Sequence, residues 1–207
     1  MEFLRGSWSR CWTGLGASAD NHALYERLIA AYGESQRKYH TLQHLGECLT
    51  LFEAQRHHAG EPHEVEIALW FHDAIYQVRA GDNELRSADW AADALRAGGV
   101  AAERIERVRQ HVLATRHAAL PVGPDQALLV DIDLSILGAE PVRFDEYEHQ
   151  VRAEYRWVPD FMFRPKRREI LTEFLQRDPI YTTAALREEL EARARANLTR
   201  SLVKLSS

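Results

Sequence analysis

The chain is poor in cysteine, carries no excess of positive charge and has no long apolar run. It has two cysteines, Cys11 and Cys48, in 207 residues. Two thiols do not make a disulfide scaffold, and a reducing cytoplasm is the expected location. The strongly apolar stretches are as short as 67–71 and 127–130, against the ~18 residues of a membrane-spanning helix, so no membrane partner is expected. The opening MEFLRGSWSRCW lacks the continuous apolar segment of a secretory signal. Lys plus Arg number 26 against 31 Asp plus Glu, a formal net charge of -5. Without a basic balance, a nucleic-acid polymer is not the expected partner. The motifs HExxH, GxxxxGK[ST], CxxC and GxSxG are absent, which removes the usual support for zincin, P-loop, zinc-ribbon and serine-hydrolase chemistry.

What is present is ordinary globular composition, 45% hydrophobic and 28% charged, in a chain long enough for one domain and short for two. Helical periodicity runs nearly throughout. Asp20 can cap a helix carrying Leu24, Leu28 and Ile29 that ends near Gly33. Further helices are expected from about Thr41, from about His63 to Ala74, from near Asp82 to the Gly98-Gly99 pair, and from near Ala101. After the loop marked by Pro121, Gly123 and Pro124, residues Asp125 to Leu137 read as helix rather than strand, because Leu129, Asp133 and Ile136 share a helical face. Others are expected over about 144–157, around Pro165 in a first turn, and from about Thr183 to Lys204. The expected fold is all-α: a single domain over 1–207 of about eight or nine helices, with its core at about 20–200 and residues 1–19 as an extension.

Chemistry is concentrated in the ten histidines. His72-Asp73 closes an apolar helix in ALWFHDAIY. Burying an ionised Asp there costs several kcal/mol unless compensated. A divalent cation taking the imidazole nitrogen and the carboxylate oxygen compensates directly; a surface pair or a helix C-terminal cap is the ordinary alternative. Tyr39-His40 precedes His44, and the four-residue spacing puts both imidazoles on one face if helix continues through His40. Two surface histidines at the start of an amphipathic helix would look the same. In LLVDIDLSILG, Asp131 and Asp133 point ~200° apart on a helix. Asp133, in phase with Leu129 and Ile136, points inward, where it needs a hydrogen-bond network, a salt bridge or a metal.

His44, then His72-Asp73, then Asp133 make the order H…HD…D, which resembles the HD-domain superfamily of metal-dependent phosphohydrolases. YHTLQH and DIDL are similar to the YHxxxH segment and closing Asp-Leu pair of cyclic-nucleotide phosphodiesterases. RKYHTLQHL, WFHDAIY, DNELRSA, ATRH and DIDLSILG resemble a bacterial group of predicted metal-dependent HD phosphohydrolases, over about residues 20–200. The resemblance implies that His44, His72, Asp73 and Asp133 bind a divalent metal and that Asp73 is placed to bridge to a second ion. It puts His40 at the general-acid position and His117 as the extra ligand for that second ion. Read from its neighbours alone, His117 is equally a helix-end histidine near a carbonyl. Mixed nitrogen and oxygen ligation suits Mn, Fe, Co, Ni or Zn better than Mg or Ca, with one or two ions expected.

Asp82, Asn83, Glu84 and Ser87 form a polar group soon after the His-Asp pair. It reads either as a helix N-terminus or as a wall of the site, with Asn83 or Glu84 bonded to substrate or water. Arg37, Arg164, Lys166, Arg167 and Arg168 are candidate phosphate contacts, or simply solvated charges; Arg37 leads because it is three residues from His40. The function implied by the resemblance is hydrolysis of a small-molecule phosphoester, a nucleotide first among them, with Asp73 and His40 carrying the catalysis. Two alternatives stay open: a di-iron oxygenase of the same fold, and a binding module without catalysis. Homo-oligomerisation is open as well.

Overall fold

The structure, a computed structural model, describes residues 2–18 and 21–206; Asp20, the expected cap of the second helix, lies outside them. Among the described residues there are ten α-helices, two short 3₁₀ turns and no strand. The chain divides into two compact units, 1–133 and 134–207, where the sequence suggests one domain.

The first unit holds α1 (Glu2–Gly14), α2 (His22–Tyr32), α3 (Leu42–Gln55), α4 (Pro62–Phe71), α5 (Asn83–Ala97), α6 (Ala102–Ala114) and α7 (Pro124–Asp133). Helix α4 is the hub, packed against α1, α3, α5, α6 and α7. Pro62 starts it, and every residue from Glu64 to Phe71 is buried, as expected of a helix enclosed on all sides. Two carboxylates therefore enter the core, and both are satisfied. Glu66 accepts from Ser7 Oγ at 2.7 Å and from Arg10 and Arg56 at 2.5 Å each. Glu64 takes the Arg107 guanidinium through both oxygens, at 2.7 and 2.8 Å. Such pairs cost little as long as both partners stay.

Residues 1–19, expected as an extension, instead contain a core helix. In α1 the apolar positions Leu4, Trp8, Cys11 and Trp12 are buried, a spacing that lines one helical face. Trp8 stacks on Trp12 and meets Trp70 of α4 edge-on, with ring centroids 5.4 Å apart in both cases. That face was legible in the residue spacing; tryptophan and cysteine among polar neighbours disguised it. Helix α3 starts as expected, with Thr41 Oγ1 accepting from the Gln43 amide. Helix α7 is buried from Leu128 to Ile132, so Asp131 is enclosed while Asp133 is half-buried.

The second unit holds a 3₁₀ turn at Leu134–Gly138, then α8 (Pro141–Glu154), α9 (Asp160–Gln176) and α10 (Ala184–Ser206). α10 packs on the 3₁₀ turn and on α9. Gly138 permits the closest approach: a Cβ there would stand 2.7 Å from the Leu190 Cβ and 2.9 Å from its carbonyl oxygen. Pro165 lies inside α9 rather than in its first turn, because the helix already begins at Asp160 behind Pro159. Arg167 is no phosphate contact: it is buried, ion-paired to Glu148 and set against the Tyr147 ring. Among the described residues no helix is long and apolar enough to cross a membrane.

If α1 is part of the core, Trp8→Ala should destabilise the chain by about 3–5 kcal/mol. A urea titration reads this directly. A loss below about 1 kcal/mol, the scale of a surface change, would make α1 an appendage.

Candidate metal centre

Four segments of the first unit deliver side chains to one point. Helix α3 supplies His44 from its first turn, where the Thr41 cap sets the helix phase. Helix α4 stops at Phe71, and His72 and Asp73 follow as the chain turns away. Helix α7 ends on Asp133. The turn after α6 supplies His117, whose φ of +54° is left-handed. A β-carbon residue rarely takes that conformation outside helix ends and functional sites.

The distances are those of a common coordination sphere. His44 Nε2 lies 3.1 Å from His72 Nε2, 3.2 Å from Asp133 Oδ1 and 3.6 Å from Asp73 Oδ2. His72 Nε2 lies 3.1 Å from Asp73 Oδ2 and 3.5 Å from Asp133 Oδ1. Two ligands each ~2.0–2.2 Å from one ion stand about 2.8–3.6 Å apart across octahedral to tetrahedral angles. All five separations fall in that window. The tautomer also fits. His72 Nδ1 is 2.7 Å from the Leu69 carbonyl oxygen, which only accepts, so Nδ1 carries the proton and Nε2 offers its lone pair to the centre.

The electrostatics call for a cation. Burial alone raises the Asp73 and Asp133 pKa values, yet the imidazoles around them hold both carboxyls well below the usual carboxylate range. For Asp73 these are His72, His40 and His44; for Asp133 they are His72, His117 and His44. Burial likewise works against a proton on His72, but Asp73, Tyr32 and Asp133 raise its pKa well above the ordinary imidazole value. Two half-buried carboxylates facing the same imidazoles are stabilised here by positive charge between them, supplied by a proton or by a divalent ion.

The sequence reading did not place Cys48. It sits one helical turn after His44, and His44, Cys48, His72 and Asp133 form a buried cluster able to hold a metal ion. The sulfur lies 3.7 Å from His44 Nδ1 and 3.8 Å from Nε2. Burial pushes the Cys48 thiol up. Cys48 thus joins His44, His72 and Asp133 as a side chain able to hold a metal ion.

His117 contacts Asp133, with Nε2 3.1 Å from Oδ2. Asp133 Oδ1 faces His44 and His72 while Oδ2 faces His117, so Asp133 is the carboxylate spread between the two sides. The resemblance assigned that place to Asp73. His40 stacks on Tyr76, with ring centroids 4.1 Å apart and planes at 25°, and its ring lies 6.2 Å from that of His44.

The expected substrate contacts fare differently. Arg37 is buried, and its guanidinium donates to the carbonyls of His40, Asp73 and Ala74 and to Glu34. Four of its five N–H groups are thus engaged within the protein, on a buried side chain. Asn83 bonds the backbone of Gln77 from both ends of its amide, and Ser87 bonds the Ile75 N–H. These residues shape the loop behind Asp73. Glu84 approaches Arg116, beside His117, at 3.9 Å.

Divalent metal should raise the unfolding midpoint, with a gain of about 2.7 kcal/mol at a hundred times Kd. EDTA should reverse the gain, and Asp133→Asn should abolish it. His72 must lose a proton to bind metal, and its pKa is raised, so affinity should climb with pH and keep climbing above the ordinary imidazole range of ~6.5. Calorimetric titration at several pH values checks the sign. An affinity flat from acid to alkaline pH would remove His72 from the ligand set.

The chain matches no protein-family model, no curated protein and no solved structure, and what this centre can do is read from its own geometry.

Proposed function

We propose that the protein is a metal-dependent phosphohydrolase that cleaves a phosphoester of a small molecule, with nucleotides the favoured class. The observation that carries this reading is the convergence of His44, His72, Asp73 and Asp133 at separations that suit one divalent ion. A bound Mn, Fe, Co, Ni or Zn ion supplies the charge that polarises a phosphoryl group and makes water a competent nucleophile near neutral pH.

The chain's own groups do the rest. His44 and His72 present imidazole nitrogens while Asp73 and Asp133 set the charge of the site. His117 orients Asp133 through Oδ2, or shares that carboxylate with a second ion. His40 stands beside this cluster, its ring 6.2 Å from that of His44. An imidazole nitrogen there can hold a proton for the departing ester oxygen and release it as that oxygen leaves. The Tyr76 ring holds the His40 plane from one side.

A hydrolysis screen with added metals tests this. It should cover nucleoside monophosphates, cyclic nucleotides, dinucleotides and non-nucleotide esters, alongside elemental analysis. Protein that binds none of the added metals and hydrolyses none of these esters, or iron-loaded protein that consumes dioxygen, would end the reading. With a substrate in hand, Asp73→Ala should lose both metal and turnover. His40→Ala should keep its metal and lose about 10²–10⁴-fold in rate; release of metal by that variant would make His40 a ligand. A metal stoichiometry of two that falls to one in His117→Ala would assign His117 to a second ion, and a stoichiometry of one in both would leave it holding Asp133.

A further inference from the structure

The segment 73–77 behind the metal ligands has its backbone held by side chains at every residue. Arg37 Nη1 donates to the Asp73 carbonyl at 2.6 Å and Nη2 to that of Ala74 at 3.0 Å. Ser87 Oγ accepts from the Ile75 amide at 3.0 Å, and Gln36 Nε2 donates to the Tyr76 carbonyl at 3.3 Å. Asn83 takes both groups of Gln77, at 2.9 and 3.0 Å. Arg37 does more than brace this loop. The same Nη1 that reaches Asp73 also reaches the His40 carbonyl at 3.1 Å. Its guanidinium lies 5.5 Å from the centroid of the Tyr76 ring, the ring on which the His40 imidazole stacks. The Arg37 side chain is fully enclosed, and Tyr32 lies against it at 5.2 Å.

We infer that Arg37 is a positioning residue that registers the proton donor against the metal: it ties the His40 backbone to the Asp73 backbone and backs the Tyr76 ring that fixes the His40 imidazole. The inference rests on the reading of His40 as the proton donor. One rigid, planar, five-donor fork joins its own segment to one 36 residues away in sequence, which lysine, with a single ammonium on a flexible stem, does not reproduce. Proton transfer in the transition state requires hydrogen-bond reach between donor and leaving oxygen, and small misplacements there are expensive. A loose His40 therefore loses rate even with the metal in place.

Two signatures separate positioning from general support. The first is leaving-group dependence. Esters of 4-nitrophenol depart with little protonation, while phenyl esters depend on it. Full-length, zinc-loaded Arg37→Lys should lose about tenfold more turnover on phenyl phosphate or diphenyl phosphate than on the 4-nitrophenyl counterparts, the pattern expected of a weakened general acid, at unchanged zinc content. An equal loss on both esters, or loss of zinc, would overturn the inference; the latter would show that Arg37 serves Asp73 alone. The second signature needs no turnover. In the histidine ring NMR spectrum, with His40 assigned by its disappearance in His40→Ala, its ring protons should be shifted upfield by Tyr76. That shift should persist in Tyr76→Phe and vanish in Tyr76→Ala and Arg37→Lys, while the His44 and His72 signals stay in place. A His40 shift unchanged in Arg37→Lys would overturn the inference. Should Arg37→Lys not fold, Tyr76→Ala leaves the guanidinium intact, and the same ester comparison on it decides. If wild-type protein hydrolyses no ester, the phosphohydrolase reading fails and the NMR arm alone judges the positioning.

Discussion

Asp73 and Asp133 each place an oxygen within 3.6 Å of both the His44 and the His72 imidazoles, and half-buried charges so arranged call for positive charge among them. The first unit is organised around that constraint. Three of its helices stop beside the cluster: α4 just before His72-Asp73, α7 on Asp133, and α6 three residues before His117. Termination exposes side chains at a helix end to a shared point, which a continuous helix face would spread along its axis.

The elements that hold the ligands are themselves held by buried charge. Glu64 and Glu66 on the hub helix are saturated by arginines from α1, from α6 and from the 3₁₀ turn after α3. The loop after Asp73 is braced at each residue by a side chain. A fully apolar core would pack as densely, but it would allow the ligand-bearing ends to slide. Hydrogen-bonded charges fix direction as well as distance, and direction is what a coordination sphere demands.

A tension follows for the residues next to the site. Polar groups near a proposed catalytic centre suggest substrate contacts, yet Arg37, Asn83 and Ser87 are spent on backbone. Their neighbour Asp73 faces the centre, with Oδ2 3.1 Å from His72 Nε2, and His40 stands near it. His117 stands between these classes: its left-handed backbone and its bond to Asp133 are local strain serving one carboxylate.

Legibility in the sequence followed the range of the interaction. Helix existence, the all-α class, the Thr41 cap and the candidate ligands His44, His72, Asp73 and Asp133 could be read, because each rests on periodicity or on a charged residue in an apolar run, both local properties. The same periodicity is present in α1 at Leu4, Trp8, Cys11 and Trp12, although residues 1–19 read as an extension. What residue spacing does not carry is which partner a long side chain reaches. Arg37 lies as close in sequence to a solvent-facing role as to a buried one, and only the folded loop at 73–74 gives its fork two carbonyls. The turn of Asp133 Oδ2 toward His117 was likewise decided by packing between separate segments, whereas Cys48 lies one helical turn from His44, a spacing already present in the sequence. The rotamer and the second oxygen of a side chain are set by neighbours that only the tertiary fold brings near.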